Sequence, residues 1–177
     1  MNLALLLLLV AQAEGSSAVP PPLPTFELML DSAQIVVIGK VDSMWYSVDT
    51  ISGEINGQPF NSTLPHTHIS AEILSAYAKD STLIPPTNTI HISHEGGMIS
   101  PGRWVHVTPS VRFKEGEIFL AAIKIHPHFT GEDETIYCVS TKPWKYTIQN
   151  DSLIGDVESI PLGEAIDKLS SAFQETQ

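Results

Sequence analysis

One stretch, Ile118–Ile125 (IFLAAIKI), constrains the fold more than any other part of the chain. Apart from Lys124 its side chains are apolar, and a short strand that is apolar without alternation is one covered on both faces. Such a strand belongs at the centre of a core. Upstream, residues 89–93 (TIHIS) read as a second short strand with Ile90 and Ile92 inward. Between the two runs HEGGMISPG, a turn in which Gly96, Gly97 and Gly102 accept backbone angles other residues resist, followed by a strand candidate at 103–107 (RWVHV).

Periodicity and turn chemistry place the other elements. Thr25 suits the N-cap of a short helix over FELMLDSA, where Phe26, Met29, Leu30 and Ala33 recur at helical spacing. Residues 34–48, rich in branched and aromatic side chains, form a long first strand, with Gly39 marking a bulge or sharp bend. The polar stretch 49–65, with Asn56-Gly57 as its turn signal, is a hairpin extension or a loop. Strand character resumes over 66–78, where Ile69, Ala71 and Ile73 share a face before Leu74 shifts the phase; a helix over AEILSAYAK is the alternative. Pro85-Pro86 excludes helix and central strand, and IYCVS and KYTI supply further strands around Lys142-Pro143-Trp144. The end, PLGEAIDKLSSAF, puts Leu162, Ile166, Leu169 and Phe173 on one helical stripe. The expected fold is therefore mainly β: a small OB-like, partly open barrel of five to six strands, with a short N-terminal helix and a C-terminal amphipathic helix.

A chain of 177 residues fits one such domain, here 25–177. Residues 1–13 carry the apolar run and small-x-small ending (Ala11-Gln12-Ala13) of a secretory signal peptide, and the Pro-rich 14–24 reads as a flexible linker. No later stretch approaches the roughly 18 apolar residues of a membrane span, so the expected location is secreted or periplasmic. Cys138 stands alone, so no disulfide forms within the chain, and its setting in TIYCVS suits a half-buried strand residue better than a reactive thiol. Nine Lys and Arg against twenty Asp and Glu give a net charge of −11, with no basic run; this excludes nucleic acid as an expected partner.

The pattern resembles secreted bacterial and archaeal OB-fold-like domains that look like the tissue-inhibitor-of-metalloproteinase and netrin barrel. The residues that carry the resemblance are AQIVVIGKV on the first strand, Glu95-Gly96-Gly97, and Phe113 to Leu120 (FKEGEIFL). The resemblance implies a fold. The metalloproteinase inhibitors of that barrel act through an N-terminal cysteine in a disulfide framework, and a chain whose only cysteine is Cys138 lacks those residues.

Seven histidines include the sets His66-x-His68, His91-x-x-His94 and His126-x-His128. Residues two apart on a strand point the same way, so an H-x-H pair can offer two imidazoles to one metal. Antiparallel pairing of the second and third strands would bring His66 and His68 near His94, making these three the candidate zinc or copper ligands. By parity His66 and His68 oppose the Ile69 and Ile73 face, and His126 and His128 oppose Ile123 and Ile125, so solvated surface imidazoles are the competing reading. No G-x-S-x-G, H-E-x-x-H or phosphate-cradling glycine motif is present, and no catalytic residue is assigned. Glu132, Asp133 and Glu134 read as a solvated acidic tip rather than a calcium loop. Among the aromatics Trp45, Tyr46, Trp104 and Trp144, the last two lie where a side chain can be offered outward. The expectation is a secreted, non-enzymatic domain, without a required cofactor, binding an extracellular protein or other ligand through Trp104, His94, Glu95 and Trp144. The alternative is metal binding through His66, His68 and His94.

Overall fold

A computed structural model describes residues 24–55, 57–105, 107, 111–126, 135–140 and 144–176. The expected signal peptide, nearly all of the expected linker, His128 and the acidic Glu132, Asp133 and Glu134 lie outside the described residues. After a short helix α1 (Phe26–Ser32), the chain forms an antiparallel hairpin of β1 (Ile35–Ile55) and β2 (Gln58–Ala78). Then come β3 (Thr89–Glu95), β4 (Gly97–Ser100), β5 (Arg103–Val105), β6 (Ile118–Ile125) and β7 (Ile136–Val139). The series closes with β8 (Lys145–Gln149), β9 (Ser152–Ile154), β10 (Ser159–Pro161), helix α2 (Leu162–Ala172) and β11 (Gln174–Thr176). The fold is mainly β, with one helix near each end. Among the described residues no helix is long and apolar enough to cross a membrane.

The main sheet runs β1-β2-β3-β7-β6-β8-β9-β10, with β11 on β2. Because β6 also pairs with β1, the first five of these strands partly close a ring. The closing pairs are antiparallel except β3 with β7, which is parallel. Over Ile35–Lys40 β1 serves both neighbours, and its pairing with β2 changes register at Gly39. Pairing jumps from Ile38↔Ser75 to Gly39↔Ile73, so Leu74 is the extra residue of a bulge, which is the physical meaning of its phase shift. A Cβ on Gly39 would lie 2.9 Å from Phe119 Cζ and 3.0 Å from the Glu72 carbonyl oxygen, so β1 and β6 approach closely only because it is absent.

The strand β6 is covered on both faces. Phe119, Ala121 and Ile123 point into the ring with Val37, Ile69 and Ile92, while Leu120 and Ala122 point out, with Val36 and Ile38, beneath the two helices. There Phe26 and Met29 of α1, Ala165 and Leu169 of α2, and Phe173 just after α2 complete the outer layer. Each buried side chain of this size contributes about 2 kcal/mol. Leu162 and Ile166 of the expected stripe are only half-buried, and Ala165 takes the inner position.

The sequence reading differs at three places. Residues 66–78 are strand throughout, so the helical alternative over AEILSAYAK does not form; pairing with both β1 and β3 outweighs local propensity. The polar 49–65 stretch is a hairpin extension, closed by a turn with Gly57 at φ 77°. The strands exceed the expected five to six because β4, β5 and β9–β11 are three or four residues long, too short for periodicity to show.

Candidate functional site

Where the HEGG turn leaves β3 it is tied back to β2. The Gly96 N–H donates to the Pro65 carbonyl and the Thr67 hydroxyl donates to the Gly96 carbonyl, both at 2.8 Å. This folds β4 and β5 over the end of the ring, leaving a cavity of about 840 Å³ between them and the segment leading into β6. On one side stand Tyr46 and Trp104, in edge contact with ring centroids 5.2 Å apart. Trp104 is 50 % exposed, so half of its indole remains for a partner. Thr67, His94 and Phe113 line the interior, with the His94 ring 6.4 Å from Phe113 and nearly parallel to it. At the polar end are Lys114, Glu117, Lys145, Thr147 and Asp156. Lys145 donates to Glu117 and, at 3.1 Å, to the Thr147 hydroxyl, which itself donates to Glu117.

The protonation pattern of His94 follows from its partners. Its Nδ1 lies 3.2 Å from the Glu95 carbonyl oxygen, which can only accept, so Nδ1 carries the proton. Burial pushes the imidazole below its ordinary value, the Glu95 bond opposes this, and the charges of His66 and His68 add to the lowering. The neutral ring therefore presents a bare Nε2, buried and without a hydrogen-bond partner among the described residues. It is a buried acceptor, less than 1 Å² exposed, that no donor among the described residues satisfies.

The structure brings three of the four expected ligand-binding residues together: Trp104, His94 and Glu95 all line the cavity. Trp144 is elsewhere, half-buried against the outer hydrophobic layer under the helices, with its indole Nε1 buried. The expected metal trio does not converge. Strands β2 and β3 do pair antiparallel, but the register sets Thr67 opposite His94 and leaves His66 and His68 on the other face. Nor are these two solvated: His66 is 0 % and His68 5 % exposed, and His126 is buried as well. Among the described residues no group of three or more His, Cys, Asp or Glu is arranged to hold a metal ion.

On that second face His68 packs with His91, which the sequence reading paired with His94. Their ring centroids are 5.1 Å apart, with Trp45 stacked on His68 at 5.3 Å. Tyr46, Thr67 and the Glu117–Lys145 pair are site residues the sequence reading missed. Strand parity alone turns Tyr46 the wrong way, since Val37 and Val41 face the ring, and the register shift between Val41 and Ser43 brings Met44 and Tyr46 to that side. Cys138 is half-buried on β7, its thiol pushed up by burial.

Comparison with protein-family models, with curated proteins and with solved structures finds no match.

Proposed function

We propose that this chain is an exported ligand-binding domain of OB type, with the cavity as its binding site and a saccharide as the class of ligand. The observation that carries the reading is the convergence of Trp104, Tyr46 and His94 on one cavity of about 840 Å³. Ligand sites are concave, mostly apolar and furnished with a few fixed polar groups, and a sugar ring offers both a flat C–H face for an indole and hydroxyls for the polar end at Lys114 and Asp156. The partly closed five-strand ring supports the OB kinship, since that barrel is small and partly open. The leader-like residues 1–13 support export.

Tryptophan fluorescence of the full chain, titrated with neutral oligosaccharides and with unstructured peptides as the contrasting class, tests the reading. Saturable quenching by at least one oligosaccharide, abolished by Trp104→Ala, is expected. Binding of peptides alone, no saturable response, or equal affinity in Trp104→Ala overturns it.

A further inference from the structure

Away from the cavity, Ser47, His68 and His91 form a hydrogen-bonded line across three strands. Ser47 Oγ lies 2.6 Å from His68 Nε2, and His68 Nδ1 lies 2.9 Å from His91 Nε2. Strand register explains the meeting. Trp45 pairs with His68 and Ser70 with His91, so Trp45, Ser47, His68 and His91 share the face opposite Tyr46, Thr67 and His94. Trp45 fixes the rings: its indole is stacked on His68 with an interplanar angle of 11° and lies 5.0 Å from His91. His68 is buried, whereas Ser47 and His91 are only half-buried, so the hydroxyl sits where the line approaches solvent.

A hydroxyl bonded to an imidazole whose other nitrogen is held by a third group is the arrangement of an activated nucleophile, recognised by geometry and not by order along the chain. We infer that Ser47 is an acyl-transfer nucleophile, with His68 as its general base and His91 as the positioning residue, acting on small esters that lie against the half-exposed indole of Trp45. In the catalytic polarity the Ser47 hydroxyl donates to His68 Nε2, and His68 Nδ1–H donates to His91 Nε2. Ser47 Oγ bonds to the ester carbonyl carbon while its proton moves to Nε2. The tetrahedral adduct then breaks its bond to the alcohol oxygen, which leaves with that proton, and Ser47 is acylated. Water adds to the acyl carbon, giving a proton to Nε2; the bond to Oγ breaks, the carboxylic acid departs and Ser47 regains its proton. No other reactant is required. This inference is independent of the saccharide reading, because neither Ser47, His68 nor His91 lines the cavity.

The test is covalent labelling of the unmodified full chain with diisopropyl fluorophosphate at pH 8, read by intact mass and by peptide mapping. A single adduct on Ser47, slowed at least about 10-fold by His91→Phe and less by His91→Gln, which keeps an acceptor, is expected. Hydrolysis of p-nitrophenyl acetate should fall about 100-fold in Ser47→Ala, as loss of a general-base-assisted nucleophile does. Circular dichroism of Ser47→Ala separates misfolding from lost chemistry, and the labelling of the unmodified chain needs no variant. Absence of an adduct on Ser47, or equal hydrolysis by a folded Ser47→Ala, overturns the assignment and leaves the line as a structural hydrogen-bond network.

Discussion

Lys145 and Glu117 form an ion pair at the polar end of the cavity, with only 10 % and 8 % of their side chains exposed. Burial pushes the Lys145 ammonium below its usual range, while the hydrogen bond and charge of Glu117 hold it up. Its Nζ also lies 5.1 Å over the Phe113 ring. A buried pair of this kind contributes little net stability, but removing one partner strands the other charge. Lys145→Met should therefore destabilise the fold by about 3 kcal/mol in urea denaturation, and adding Glu117→Leu should recover most of that loss. Equal stability of the single and double variants would show that the charges are not coupled.

His94 makes stability depend on pH in a definite direction. Its folded-state pKa is lowered, chiefly by burial, so between that value and the ordinary one near 6.5 the unfolded chain binds more protons than the folded chain. Stability should rise with pH through this window, and the full penalty should apply below it. Melting temperature measured from pH 5 to pH 7.5 should climb, with His94→Gln reducing the slope.

Gly97 and Gly102 both have positive φ, at 149° and 78°, but only one is crowded. A Cβ on Gly97 would lie 2.8 Å from Thr67 Oγ1 and 3.0 Å from Tyr46 Cδ1, whereas one on Gly102 meets nothing within 4 Å. Gly102→Ala should lose only backbone strain, about 1 kcal/mol, and Gly97→Ala should lose at least about 2 kcal/mol. The crowding falls on Tyr46 and Thr67, so Gly97→Ala should also reduce ligand-induced quenching of Trp104. Equal losses in thermal unfolding would mean that the turn gives way without disturbing the cavity.

The parts legible in the sequence are those where burial writes its own pattern. Ile118–Ile125 announces a doubly covered strand because both faces are apolar, and Leu74 announces a bulge because the alternation breaks there. Gly39 announces the place where β1 and β6 approach closely and the register with β2 shifts. What stayed hidden depends on register, which no single strand encodes. His94 shares phase with Ile90 and Ile92 and so faces the ring, yet its partner across the pair is Thr67, and a shift of one residue would have made it His66 or His68. The polar 49–65 ribbon carries no core pattern, and its strand character comes from mutual pairing alone. Trp144 looked available after a proline, but the outer layer beneath the helices takes it up.

Glu158 joins α1 to the sheet. Its carboxylate accepts from the Phe26 N–H, in the first turn of α1, and from the Tyr146 hydroxyl at 2.9 Å. The phenol, pushed well above its usual range by burial and then by this carboxylate, stays a donor at every physiological pH. Glu158→Ala removes the acceptor from both groups, and orphaned partly buried donors of this kind destabilise a fold by about 2 kcal/mol in total. Glu158→Gln keeps one carbonyl oxygen and should lose less than half as much. Because Phe26 also makes an edge contact with Tyr146 at 5.8 Å, weakening the joint should loosen the helix as a unit. Hydrogen exchange at the α1 amides should accelerate in Glu158→Ala while exchange in β6 changes little. Unchanged exchange in α1 would mean that the packing of Phe26 and Met29 holds the helix by itself.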